Sequence, residues 1–296
     1  MATALQDTIR ADVQDKFVTI DGLRIRYIEE GQGKPVVCLH GASLGSSADV
    51  FRRNLGPLSR GGLRVIAFDQ PGFGQSDNPA DHGAGLRKKM ITKFIDALGL
   101  GKVAFVAHSQ AGGTAVQIAL AEPERVSHVV VLGTGSLLPP LEEKPDAGAD
   151  RQAAVQQRLE RRMAASEPTI DDTRKLLEAN LFHHELITPD ELALRHKNSV
   201  GKNFEAFVAR NELSESNKGK AKEKTGPEQW ETLSDLKMPL LMIYGKNDRA
   251  NAFEKATLLK QRKPQLDLHI VDGCKHLVPW DAADEVYRLA VPFLQK

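Results

Sequence analysis

The sequence predicts an α/β protein with a mostly parallel sheet and helices on both faces, and three observations predict it. Short apolar strands alternate with helix patterns at both ends of the chain, the rhythm of a parallel sheet. One of these strands, Val103–Val106, runs into a small-residue turn that opens a helix. From Leu137 to Ser234 the alternation stops and helix patterns follow one another without a clear strand. The expected organisation is a core made from residues 1–134 and 235–296, with a helical lid inserted at 135–234.

In chain order, Lys16–Ile20 and Leu23–Ile28 flank Asp21-Gly22, which reads as a β-hairpin with a tight turn. Gly31 to Pro35 breaks the pattern, and Val36–Leu39 is a buried strand leading into His40-Gly41-Ala42-Ser43-Leu44-Gly45 and then a helix through Leu58. Arg64–Phe68 is the next strand, ending in the turn-rich run Asp69 to Asp77. Leu86–Leu98 has helical period and is stopped at Gly99. After the Val103 strand a helix runs to Ala121, and Val126–Leu132 is a further strand. In the insertion, helices are expected over 151–163, 170–181, 188–196 and 203–210, with Thr169 and Thr188 as caps and Glu191 completing a capping box. Lys218 to Lys224 is a charge run without aromatics, expected to be a solvated loop. Pro239–Tyr244, a helix over 252–260, the strand Leu266–Val271 and an amphipathic helix over 281–294 complete the core.

Composition excludes several function classes. The chain, at 296 residues, can bury a full core, and its 41% apolar and 27% charged content is that of a soluble globular protein. A net charge of +1 offers no field to draw in nucleic acid or an anionic membrane, so the expected partner is a small-molecule substrate. Cys38 and Cys274 alone, in a chain of this length, point to a reducing, cytoplasmic compartment rather than a disulfide framework. Met1–Gln14 lacks an apolar segment, and no apolar run approaches the roughly 18 residues of a membrane span, so neither signal peptide nor anchor is expected.

The chemistry is expected at the turn after the Val103 strand, Ala107-His108-Ser109-Gln110-Ala111 followed by Gly112-Gly113. Small-x-Ser-x-small between a strand and a helix is the pattern of a nucleophile elbow, here with alanine where glycine is usual at both flanks. A serine hydroxyl needs a base to take its proton, and the base needs an orienting carboxylate. His276 follows the last strand and Asp248 follows the Pro239 strand, so in a parallel sheet their loops share the edge that carries Ser109. Asp69 also ends a strand and competes for the acid role, but it precedes the serine and sits in a turn. The developing oxyanion needs two donors, expected from the backbone N–H groups of Gln110 and Ala42, with Gly41 keeping the loop close to the serine. His40 is either the brace of that loop or a participant in the chemistry.

With these residues in place, the sequence resembles the α/β-hydrolase superfamily and, within it, the meta-cleavage-product hydrolases, which split carbon–carbon bonds in ring-fission products. The resemblance covers nearly the whole chain: Leu39-His40-Gly41 with Asn54-Leu-Gly-Pro57, Asp69 to Asp77, the elbow, Gly245 to Arg249, and the tail from Cys274-Lys-His276 through Trp280, Ala283 to Glu285 and Arg288-Leu289. Leu186-Ile-Thr188 opens a similar helix, and the resemblance implies that Arg195 on it binds the substrate's carboxylate and 2-oxo end. It also implies an α/β-hydrolase fold and the triad Ser109, Asp248 and His276; the oligomeric state is not readable from the residues, a homodimer being one assembly such hydrolases adopt. Three positions depart from the family: His108 stands where asparagine is common before the nucleophile, Leu277 where tryptophan is common after the histidine, and Val50 near the place of a loop asparagine. His108 could hydrogen-bond a substrate oxo group, although histidine is also common there in esterases.

Three functions follow as expectations. The first is C–C hydrolysis of a 2-hydroxy-6-oxo-dienoate-like substrate, with Arg195, His108, Gly41 and Leu277 around it. The second is a carboxylesterase or lactonase acting on a small apolar ester, and the third a ligand-binding protein on the same scaffold. No cofactor and no metal are expected, since no His, Cys and carboxylate cluster has ligand spacing and His183 and His184 are adjacent.

Overall fold

The structure is a computed structural model, and it describes residues 13–83, 85–141, 158–159, 162–163, 165–218 and 226–296. The expected helix at 151–163 and the charge run at 218–224 lie largely outside the described residues.

Eight strands form one sheet: β1 (Lys16–Ile20), β2 (Leu23–Glu30), β3 (Lys34–Leu39), β4 (Leu63–Phe68), β5 (Val103–His108), β6 (Val126–Leu132), β7 (Leu240–Gly245) and β8 (Asp267–Val271). Their order is β1-β2-β4-β3-β5-β6-β7-β8, with β1 and β2 antiparallel at one edge and the rest parallel. The helices are α1 (Arg52–Arg60), α2 (Leu86–Ala97), α3 (Gln110–Ala121), α4 (Ile170–Asn180), α5 (Pro189–Lys197), α6 (Lys202–Lys218), α7 (Ala252–Arg262), α8 (Val278–Asp281) and α9 (Ala283–Gln295). Helices α4 to α6 lie between β6 and β7, where the strand alternation of the sequence stops.

Strand side chains alternate between two faces, and both faces are covered, which is why the strands read as unbroken apolar runs. Val37, Leu39, Ile66, Phe68, Phe105, Val129, Val131 and Met242 pack with Phe94 of α2, Val116 of α3 and Leu259 of α7. Their neighbours Val36, Cys38, Val65, Ala67, Val106, Val130, Leu132 and Ile243 pack with Leu55 and Leu58 of α1 and Val286 of α9. A smaller cluster of Leu44, Met163, Leu176 and Phe207 seats the insertion on the loop after β3.

Three local expectations differ in detail. β5 extends through His108, so the strand delivers its last residue directly to the serine. The full reciprocal box is made by Thr169 and Asp172 at α4, while Thr188 caps α5 by accepting from the Glu191 N–H and the Glu191 carboxylate lies 3.8 Å from Arg53. The expected helix over 281–294 is α9, which begins two residues later at Ala283: Asp281 instead ends the short α8, its carboxylate accepting the N–H groups of Phe182, His183 and Lys275, and the chain leaves helical geometry at Ala282. Cys38 and Cys274 are free thiols, both buried. No helix among the described residues is long and apolar enough to cross a membrane.

Candidate active site

Ser109 sits between β5 and α3 with φ 58° and ψ −132°, a backbone conformation unfavourable for a residue with a Cβ. The strain is held by hydrogen bonds on both sides: the Ser109 N–H donates to Leu132 O at 2.9 Å, and Thr134 Oγ1 donates to Ser109 O at 2.9 Å. The small neighbours follow from this tight path. A Cβ on Gly112 would come within 2.0 Å of Thr134 Oγ1, and one on Gly41 within 2.9 Å of Ser109 Cβ. Gly112→Ala is expected to lower stability by about 1–3 kcal/mol through overpacking, read by urea unfolding. An unchanged midpoint would show that Thr134 moves aside freely.

The loops after β7 and β8 are tied together, with the Lys246 N–H on Val271 O at 2.8 Å and the Asn247 N–H on Cys274 O at 2.9 Å. They bring Asp248 and His276 to the serine. His276 Nε2 lies 2.9 Å from Ser109 Oγ, and its Nδ1 lies 3.1 Å from Asp248 Oδ2. Burial works against charge on Asp248, yet His276 and the Arg249 side chain and N–H hold its carboxyl below the ordinary range. Arg249 in turn donates to Asn180 Oδ1 of α4 at 2.7 Å, linking this corner to the insertion.

Asp69, the competing acid, is elsewhere. It is fully buried, accepts from the Ala48 N–H at 2.7 Å and the Gln75 N–H at 2.8 Å, and faces Arg26 at 3.2 Å. His40 braces the loop: its Nδ1–H donates to Gly41 O at 2.7 Å, its Nε2 accepts from the Gln70 N–H at 3.0 Å, and burial pushes its pKa down to about 3. The N–H groups of Ala42 and Gln110 have no backbone or side-chain acceptor among the described residues. Both residues border a cavity of about 430 Å³ that also meets Phe73, Phe207, Arg87 and Arg210.

His108 is neutral, because burial and the neighbouring His276 drive its pKa down to about 3. Its Nε2 lies 2.8 Å from His276 O, and a carbonyl oxygen can only accept, so the ring proton is on Nε2. That leaves Nδ1 as a buried lone pair without a partner, near Gly41. The free ring nitrogen is therefore an acceptor, suited to a hydroxyl and not to the oxo group that the sequence suggested. Arg195 of α5 is buried between the insertion and the loop after β3, donating to Ser43 Oγ at 3.1 Å, with its Nε shut off and unpartnered among the described residues. Burial lowers its pKa to about 10, so it remains a cation, with no carboxylate within 4 Å among the described residues. Leu277 departs from the expectation of a pocket wall: it is 4% exposed and packs in the core with Leu181, Ile187 and Trp280, because α8 begins at the next residue and turns it inward.

Sequence reasoning missed Thr134 and Asn180, and met Arg249 only as the end of the Gly245 to Arg249 run without reading its role; these three hold the serine turn and the acid loop. The only signal for them was position, directly after β6, at the end of α4 and beside Asp248. Among the described residues no group of three or more His, Cys, Asp or Glu could hold a metal ion.

A strained serine with a histidine and a buried carboxylate in line, on the edge of a parallel sheet, defines the hydrolase class of site. The chain belongs to the alpha/beta hydrolase fold family, whose sequence profile matches residues 34–283. It is 30% identical over 292 residues to the 2-hydroxy-6-oxononadienedioate/2-hydroxy-6-oxononatrienedioate hydrolase of Burkholderia vietnamiensis, covering 95% of this chain and 96% of that one. It is 31% identical over 291 residues to the 2-hydroxy-6-oxo-6-phenylhexa-2,4-dienoate hydrolase of Burkholderia cepacia, covering 94% and 96%. Among solved structures, the meta-cleavage product hydrolase of Pseudomonas fluorescens IP01 superposes with a TM-score of 0.72 at 25% identity, covering 95% of this chain and 97% of that one.

Proposed function

We propose that this chain is a serine-dependent C–C hydrolase acting on a 2-hydroxy-6-oxo-dienoate, the part of the substrate that the names of its relatives share. One observation carries it. The Ser109–His276–Asp248 line is joined by a buried guanidinium, Arg195, near enough to His108 to help depress its pKa and with no carboxylate within 4 Å among the described residues. Burying an unpaired cation is costly unless a ligand anion completes it, and a guanidinium fork suits a planar carboxylate.

In this proposal Arg195 takes the substrate's C1 carboxylate, and His108 Nδ1 accepts from the adjacent 2-hydroxyl. The dienol ketonises, with the hydroxyl proton lost and C5 protonated. Ser109 Oγ then attacks the C6 carbonyl as its proton passes to His276 Nε2, and the Asp248 carboxylate supports the imidazolium. The Ala42 and Gln110 N–H groups receive the oxyanion. The bond between C5 and C6 breaks, its electron pair delocalises into the 2-oxo group, and His276 returns its proton to this fragment, which leaves as a hydroxydienoate. Water, deprotonated by His276, then adds to the acyl-enzyme and frees a carboxylic acid and Ser109. Helices α4 to α6 serve as the lid that keeps bulk water from these steps.

The alternative is hydrolysis of a small apolar ester, which the departures from the family pattern at His108 and Leu277 favour. The two are separated by following loss of the dienoate chromophore against release of nitrophenol from short esters, with Ser109→Ala beside the wild type. Serine-dependent loss of the dienoate upholds C–C hydrolysis, and ester turnover with inert dienoates replaces it. Arg195→Leu is expected to lower kcat/KM for the dienoate, relative to that for nitrophenyl acetate, by about 30- to 100-fold, the loss of a charge-assisted pair. An unchanged ratio would remove Arg195 as the carboxylate clamp.

A further inference from the structure

Helix α6 of the insertion rests along one face on the turn after β4. Lys202, Ala206 and Arg210 recur every four residues and share that face. Lys202 Nζ donates to Ser76 O at 2.6 Å, and Asn78 Nδ2 donates to Lys202 O at 2.7 Å. Arg210 Nη1 donates to Gly72 O at 3.0 Å, and its guanidinium lies 3.9 Å from the centroid of the Phe73 ring. A Cβ on Gly72 would come within 2.9 Å of Arg210 Nη1 and 3.2 Å of Ala206 Cβ, so the helix sits directly on the turn. Arg87 of α2 approaches the same ring at 6.0 Å. Among the described residues Arg210 has no carboxylate within 4 Å, and burial with Arg87 nearby lowers its pKa to about 9. A partly buried cation without a counter-ion is a costly way to seat a helix.

The turn carries this contact to the loop that supplies the Ala42 N–H. The Phe73 N–H donates to Gln70 O at 3.0 Å. Gln70 grips His40 twice, with its N–H on His40 Nε2 at 3.0 Å and its own Nε2 on His40 O at 2.7 Å. The Phe73 and His40 rings meet at 4.8 Å, edge to face at 68°. His40 in turn donates from Nδ1 to Gly41 O, one residue before Ala42. This bonding needs a neutral His40; burial is the main cause of that form, and the charges of Arg87, Arg195 and Arg210 add to it. The other end of the loop also meets α6, where Leu44 clusters with Phe207. One helix therefore holds the loop at both His40 and Leu44.

We propose that Arg210 is a positioning residue for the oxyanion hole. It transmits the seating of α6 through the Phe73 ring to His40, and His40 fixes the Gly41 peptide so that the Ala42 N–H stands where the oxyanion forms. The insertion thus completes the oxyanion hole as well as covering it. This rests on the serine-hydrolase reading of the site but not on the choice between a C–C and an ester bond, because the Ala42 N–H serves either reaction.

The test follows acylation of Ser109 by nitrophenyl acetate in single turnovers, in the wild type, Arg210→Met, Phe73→Leu and the double variant. Arg210→Met is expected to lower the maximal acylation rate by about 10- to 100-fold, as a misplaced oxyanion donor would, with half-saturation unchanged. Its thermal midpoint is expected to stay level, since an apolar side chain replaces a cation without a counter-ion. Phosphonylation of Ser109 by an organophosphonate is expected to fall by the same factor, because charge develops on the phosphoryl oxygen at the same N–H groups. Phe73→Leu breaks the relay from the loop side, is expected to give the same loss, and decides the matter if Arg210→Met does not fold. The double variant is expected to be no slower than the worse single variant, the mark of a shared path. An unchanged acylation rate, a change in half-saturation alone, a loss seen only as a lower midpoint, or single-variant factors that multiply in the double variant would each overturn the relay and leave the serine-hydrolase reading standing. A wild type that neither turns over the ester nor takes the phosphonate would overturn that reading, and the relay with it.

Discussion

Ser109→Ala is expected to lower kcat on the best substrate by about 10⁴-fold or more, because the nucleophile of such a site works as a unit with its base and acid. The hydroxyl is the group 2.9 Å from His276 Nε2, and among the described residues no other hydroxyl bonds that nitrogen. The measurement is single-turnover loss of the substrate chromophore at saturating enzyme, which separates chemistry from binding. A fall of less than tenfold would mean that water, activated by His276 alone, is the attacking group. Stability offers a control. The backbone at 109 has φ 58°, where only glycine is at ease, so Ser109→Gly is expected to be about 1 kcal/mol more stable than Ser109→Ala. Equal stabilities would mean that the turn carries no strain.

Arg26→Met is expected to cost about 3–5 kcal/mol, the penalty for leaving buried carboxylates without their cation. Arg26 is 1% exposed and bonds Asp15 at 2.7 Å, Asp49 at 2.8 Å and Asp69 at 3.2 Å. Asp49 also pairs with Arg52, and Asp69 accepts from the Ala48 N–H. The network therefore joins β2, the loop after β3 that carries Ala42, and the end of β4. Urea unfolding measures the loss, and Asp69→Asn in the Arg26→Met background is expected to recover part of it by removing one stranded charge. A loss below 1 kcal/mol would show that water reaches the cluster. Recovery is also expected in kcat, since the same loop places the Ala42 N–H.

Much of this was legible in the sequence because it is local. The alternating burial of β3 to β7 follows from period-2 side chains covered on both faces, and apolar runs report that directly. The elbow was legible from Ala107, Ala111 and Gly112, since a path that tight tolerates only small neighbours. Asp248 and His276 could be placed because parallel strands bring their carboxyl ends to one edge, so chain order served as a guide to position. Leu277 was misplaced on the pocket wall because its orientation depends on where α8 starts and on the packing of Trp280, whose Nε1 donates to Val50 O at 3.0 Å. His108 was placed beside the serine, but its hydrogen-bonding sense depends on His276 O, far away in sequence.

The sequence by itself determined the layered fold, the serine turn and the order of the residues that meet there, because each depends on periodicity, residue size or the direction of parallel strands. Only the tertiary structure decided the charges. Arg26 reads as one more polar residue on a strand, and Arg87 and Arg210 as the solvated sides of two helices 123 positions apart. Whether a cation is paired, stranded or waiting for a ligand depends on what folds over it. The cost of burying charge is set by neighbours distant in the chain, which no local pattern records.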